Sequence, residues 1–374
     1  MTVNTGVFPA ELEDRLRHPL QHLYRVTVFP ASGPSFTVAV DGRLEVTRSL
    51  GWSPYAQAQL TIKTPWNPDE LAALDGRART WVRIEMGYAY DGKTELHPVA
   101  RLRLEDADED LASGTVSLTL QGRELEAQDA DWNKDWDNLL PRTGVREAIR
   151  YVLAQTNTGS SVPWAGIGDR HRADLVTPEA FDPADGADLW SLASGLADSA
   201  GLKLWFDGED TGTWHLRARH ALSSTYATML RTGKDGTITA GTRKRGRTGW
   251  ANSVRIIYPD SPQGNGRPVF GGASIYEGPY SILTAGRKVH FESRPGRIST
   301  NAAMAQAEAL LRTLSASGNT YTLDAAAAYW LRPGMTVPVK TGRGPYERQL
   351  VQSVTFKPLE GLMSLETIKN EETA

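Results

Sequence analysis

Seven histidines are the first residues to test for chemistry: His18, His22, His97, His171, His215, His220 and His290. Among them, His18 and His22 stand at the i, i+4 spacing that would put two imidazoles on one helical face. Pro19 between them weakens such a face, and no nearby cluster completes a metal shell. The run GDRHRAD, Gly168–Asp174, sets Asp169 beside His171. An aspartate orienting a histidine is half of a hydrolase triad, but no G-x-S-x-G elbow accompanies it. A solvated loop is the simpler reading.

The acidic run Asp129, Asp131, Asp135 and Asp137 is interleaved with Trp132 and Trp136. Carboxylates beside tryptophans suit a glycosidase cleft. As a calcium loop, DADWNKDWDNLL lacks the central glycine and the terminal glutamate. A linker whose two tryptophans pack on neighbouring parts explains the same residues. The glycine-rich stretch Gly233–Gly241 does not fit a phosphate-cradling loop, which must sit between strand and helix. The basic run Arg243, Lys244, Arg245, Gly246, Arg247 could touch phosphate, but a turn-like tip in solvent or in contact with protein is the simpler reading. Eleven tryptophans are spread along the chain rather than clustered, which fits core and interface use better than a glycan platform. No catalytic, cofactor-binding or metal-binding residue is assigned.

Composition narrows the classes further. The chain has 374 residues, beyond the roughly 250–300 at which single cores stop growing, so two or three domains are expected. Net charge is −3, which gives no global drive toward nucleic acid or acidic membranes. With no cysteine, disulfides, thiolate zinc sites and thiol nucleophiles are excluded. No apolar run approaches a membrane span, and the first residues lack a signal-peptide core. Folding in the cytoplasm without membrane insertion is expected.

The elements follow from period. Tyr24, Val26, Val28; Ala58, Leu60, Ile62; Val82, Ile84, Met86; Leu102, Leu104; and Val116, Leu118, Leu120 alternate with polar residues, as half-buried strands do. Residues 1–130 therefore read as a β-barrel or sandwich. Residues 131–220 read as a small α+β unit. Its first helix has Val145, Ala148, Ile149, Val152 and Leu153 on one face, with Thr143 as N-cap and Gly159 as stop. Its second has Leu189, Leu192, Ala193, Leu196 and Ala200, closed by Gly201, and a hairpin follows. Residues 221–374 return to strands, with a long Pro/Gly loop at 259–272 and a helix at 300–317. In WLRPGMTVPV, Pro333-Gly334 asks for a type II turn, and Pro338 asks for a sheet edge or a bulge. The fold class is mainly β with an α+β insertion.

The block AEALLRTLSASGNTYTLDAAAAYWLRPGMTVPVKTGRGPYERQLVQSVTF, Ala307–Phe356, resembles the end of minor tail proteins of tailed phages. LWSLASGLADSAGLKLWFD, with the WHL that follows a short turn, is similar to a second recurring element of that family. LEVTRSLGWSPYAQAQLTIKTP resembles the first barrel of tail hubs. The three occur in the expected order. The resemblance implies two tube-like β-barrel domains joined by a small α/β domain, and a structural, non-enzymatic role. It further implies a trimeric ring at the tail tip that closes the tail tube, adapts sixfold to threefold symmetry and passes DNA through its lumen. Implied partners are the distal tail protein, the tape measure protein, the tail tube and tail-tip or receptor-binding proteins. No cofactor is implied. The competing readings are a tail-associated glycosidase or peptidase using Asp135 and Asp137, and a glycan-binding tail-tip protein using Trp132 or Trp136.

Overall fold

The computed structural model describes residues 16, 20–132, 145–156, 164–165, 187–200, 202–209, 212–218, 228–234, 236–262, 267–294, 298–342 and 344–369. The first part contains β1 (Gln21–Phe29), β2 (Phe36–Val38), β3 (Val40–Ser49), β4 (Ala56–Lys63), α1 (Pro68–Ala72), β5 (Trp81–Tyr90), β6 (Lys93–Asp110), β7 (Thr115–Gln121) and α2 (Glu124–Gln128). The middle holds α3 (Val145–Ala154), β8 (Trp164–Ala165), α4 (Leu189–Ser199), β9 (Leu202–Asp207) and β10 (Thr213–Ala218). The last part holds β11 (Leu230–Arg231), β12 (Ile238–Arg245), β13 (Ser253–Pro262), β14 (Pro268–Ser274), β15 (Val289–Ser293), α5 (Thr300–Ala316), β16 (Asn319–Ala326), β17 (Thr336–Lys340), β18 (Glu347–Lys357) and β19 (Leu362–Lys369).

The alternation read from the sequence becomes burial. In β4 the side chains of Ala56, Ala58, Leu60 and Ile62 are buried, and Gln59 and Lys63 are exposed. β6 around Leu102 and β7 around Leu118 keep the same rule, whereas β5 alternates only as far as Ile84, where a register shift begins a fully buried run to Tyr88. These strands and those of the last part form one thirteen-stranded sheet, ordered β12-β16-β19-β18-β3-β4-β7-β6-β5-β1-β2, with β17 and β11 attached beside β18. The join is β18 on β3, antiparallel, with Val46 opposite Phe356 and Arg48 opposite Val354. Thr47 and Thr355 share a hydroxyl hydrogen bond of 2.9 Å there. Among the described residues this ladder does not close into a barrel. Where the sequence led us to expect two barrels, the strand-rich ends of the chain share one ladder and one apolar core.

A second core lies beside it. Leu189, Ala193 and Leu196 of α4 and Ala148, Ile149 and Val152 of α3 pack with Leu204 and Trp214 of the hairpin β9–β10. Val254, Ile256 and Tyr258 of β13, and Ala303, Ala307 and Leu310 of α5, belong to the same cluster. α5 is capped by Ser299, whose Oγ accepts from Ala302 N at 3.3 Å. Gly271 on β14 lets this helix lie close: a Cβ there would stand 2.1 Å from the Ala303 carbonyl oxygen.

Two expectations need correction. Most of 259–272 is not a loop: β13 runs to Pro262 and β14 starts at Pro268, because their antiparallel pairing absorbs a register shift between Tyr258 and Pro262. Pro338 does not lie on a fully open edge. β17 pairs with β18, Pro338 opposite Arg348, and its other side meets β11 in parallel at Val339 and Lys340. The expected helix-end residues Thr143, Gly159 and Gly201 lie outside the described residues.

Candidate functional site

The WLRPG turn has the geometry its residues demand. Met335 N donates to Arg332 O at 3.2 Å, and Gly334 at the third position has φ +87°. The turn aims Arg332 at a buried group of charges. Arg332 forms an ion pair with Glu209, which follows β9. Arg48, from β3, reaches the same carboxylate oxygen at 3.1 Å and also donates to Val99 O on β6. Asp207, the last residue of β9, sits 3.7 Å from Nε2 of His215 on β10, and His215 stacks on Trp205 with ring centroids 5.0 Å apart.

Burial opposes charge throughout this group, and the partners decide its state. Arg48 is 1% exposed. The nearby Glu209 and Asp207 carboxylates outweigh its desolvation and hold its pKa above the ordinary arginine value. Desolvation, reinforced by repulsion from Arg48, moves Arg332 the other way. Asp207 stays below the usual aspartate range because His215, Arg48 and Arg332 overcome its burial. Beside the group lies Glu124, fully buried, whose Oε1 accepts from Phe206 N at 2.9 Å and Tyr55 N at 3.2 Å. Burial pushes its pKa up to about 7 against those bonds. The group thus ties β3 and β6 of the large sheet, the β9–β10 hairpin and the last-third turn together. With Arg48 sealed from solvent, it acts as a clamp between parts.

A second place gathers charge at the surface. Arg243, Arg245, Arg247, Trp250, Tyr280 and Ser315 are among the residues around a cleft of about 580 Å³. Arg243 is spoken for: it bonds Glu347 at 2.8 Å and Asn319 at 2.9 Å. Arg247 lies 5.9 Å from the Trp250 ring centroid. The sequence suggests a turn-like tip here, but Arg243, Lys244 and Arg245 belong to β12, the margin strand of the large sheet.

No family model matches the chain, and no curated protein matches it. Solved structures do. A tail protein from Neisseria meningitidis aligns with a TM-score of 0.63 at 16% identity, covering 93% of this chain and 97% of its own. A tail protein of prophage MuSo2 from Shewanella oneidensis aligns at 0.58 and 11%, covering 92% and 98%. A prophage tail protein from Listeria monocytogenes aligns at 0.57 and 11%, covering 94% and 95%. The chain has the fold of these tail proteins.

Among the described residues of this tail-protein fold, those weighed for chemistry do not assemble. Asp129 pairs with Arg103 at 3.2 Å at the surface. Asp131 bridges to Asp188 in the backbone. Trp132 is 5% exposed and meets Tyr151 edge-on at 6.5 Å, so its ring is core and cannot stack on a glycan. Asp135, Trp136, Asp137, His18 and the segment 168–174 lie outside the described residues. His22 bonds the Tyr329 hydroxyl at 2.9 Å, and burial lowers its pKa. Among the described residues no three potential metal ligands come together.

Sequence reasoning missed Arg48, Glu209 and Arg332 as a unit. One signal existed for Arg48: it continues the parity of Leu44 and Val46, so an arginine occupied an inward position and needed a buried anion. Nothing local marked Glu209 as that anion.

Proposed function

We propose that this chain is a structural tail hub protein of a tailed phage or phage-like particle. The observation that carries the reading is whole-length likeness: more than nine-tenths of this chain superposes on more than nine-tenths of three separate tail proteins. The buried charge clamp supports it, because it locks the β9–β10 hairpin against both ends of the chain rather than presenting reactive groups. In this reading residues 1–130 and 221–374 are two tube-like β-barrel halves, and 131–220 is the insertion between them.

Three copies form a ring at the tail tip. The ring closes the tail tube, matches sixfold to threefold symmetry, and holds the distal tail protein, the tape measure protein and tail-tip or receptor-binding proteins. DNA passes its lumen without being held, and the chain assembles in the host cytoplasm without catalytic activity. No helix among the described residues is long and apolar enough to cross a membrane. The test is copy number in the native particle. Quantitative mass spectrometry of purified particles, with antibody labelling in the electron microscope, should give three copies at the tail tip. Many copies along the tail, or none, would remove the reading.

A further inference from the structure

Two charged patches of opposite sign lie on the large sheet, one on its margin strand β12 and one at the far end of β6, and neither is neutralised among the described residues. The basic one is the outer end of β12 with its cleft. Lys244, Arg245 and Arg247 are exposed, and among the described residues they have no carboxylate partner and β12 pairs on one side only, with β16. The acidic one is the far end of β6. Asp106, Asp108 and Glu109 are exposed and lack a cationic partner among the described residues. β5 leaves β6 at Arg103, and among the described residues no strand pairs with β6 on that side beyond it, where Gly76 lies against the backbone of Glu105 and Asp106. Leu111, at the hairpin tip, is 84% exposed. β16, β19, β18, β3, β4 and β7 lie between the two patches in the ladder.

From this complementarity we infer that the acidic β6–β7 hairpin of one copy docks against the β12 margin and arginine cleft of a second copy. This inference rests on the ring reading above and specifies its contact. The two surfaces are different, so each copy gives its hairpin to one neighbour and its cleft to the other. Such a head-to-tail contact makes a closed ring when its rotation closes. The sign pattern selects the pairing: β12 against β12, or hairpin against hairpin, sets like charges together. Trp250 and Tyr280 supply apolar walls for the cleft, and Leu111 supplies an apolar tip for the hairpin. Charges on sheet margins also serve simply to keep edges soluble. That role is indifferent to sign, whereas docking needs opposite signs, and the experiment uses this difference.

The full chain is examined by sedimentation velocity in low salt and in about 0.5 M salt. Wild type should self-associate, less so in high salt. Lys244→Glu with Arg245→Glu, or Asp108→Lys with Glu109→Lys, should each weaken association by roughly tenfold or more. The four changes together should restore it. The inference is overturned if either reversal assembles like wild type, if the combination does not restore association, or if wild type stays monomeric. It is also overturned if a short DNA duplex binds wild type, and the β12 reversal abolishes that binding but not assembly. Rings that survive both reversals, with three copies in particles, leave the hub reading standing while this contact falls. Absence of the chain from particles removes the hub reading itself.

Discussion

Arg48 and Glu209 meet at 3.1 Å across the boundary between β3 of the large sheet and the β9–β10 hairpin, with the guanidinium sealed from water. One carboxylate therefore serves two arginines that lie far apart in the chain, the second being Arg332. Glu209→Ala should cost roughly 3 kcal/mol, because it strands a buried cation. Denaturant titration checks this. The double change Arg48→Met with Glu209→Leu removes both charges, and should cost less than Glu209→Ala alone.

Glu124 gives stability a pH dependence of unusual sign for a carboxylate. Unfolded, it titrates near 4.5; folded, at about 7. Between these values the folded state keeps a proton that the unfolded chain has released, so stability falls as pH rises through the window. The contribution is about 3 kcal/mol across that range. Glu124→Gln should flatten it, and melting temperatures from pH 4.5 to 8 for both proteins would show the difference. Parallel curves would mean that Glu124 is not the group responsible.

Gly271→Ala should loosen α5 from β13 and β14. The clash is with a backbone carbonyl, which cannot swing aside, so a loss of roughly 2–3 kcal/mol is expected. Hydrogen exchange should locate the loss in β13, β14 and α5, with the large sheet still protected.

Pro338→Val tests the second proline of WLRPGMTVPV. Val351 N donates to Met335 O at 2.9 Å, so by antiparallel alternation position 338 turns its nitrogen away from β18. A valine would place a new N–H on that side, where Pro338 is buried and β11 pairs only at Val339 and Lys340. A loss of roughly 1–3 kcal/mol in denaturant titration is expected from a buried donor left without a partner. Unchanged stability would show that the N–H finds an acceptor there and that the proline is not required at this position.

Most elements were legible because their signals are local. Leu60 and Ile62, or Leu310 and Leu311, announce strand and helix by period alone, and Pro333-Gly334 fixes its own turn. What was not legible depends on partners distant in the chain. Arg243 to Arg245 read as a loop, since nothing nearby in sequence shows that Tyr321 and Asn319 pair with them to make a margin strand. The 259–272 stretch read as a loop because its prolines and glycines hide a bulged hairpin. The merging of the two ends into one sheet rests on Val46 meeting Phe356, a relation no window of sequence contains. The charge clamp failed to appear for the same reason, Glu209 being far in sequence from both arginines it serves.

That merging has a consequence on the ribosome. β3 is among the first strands to emerge, yet its partner β18 is made about three hundred residues later, roughly fifteen to sixty seconds of synthesis. Throughout that time the β3 side of the early meander is an unpaired edge in a crowded polysome, where neighbouring nascent chains carry the same edge. Productive folding thus waits for the C-terminal strands, and a stop codon or ribosomal stall before Glu347 would release a chain whose early strands are ready to pair with one another.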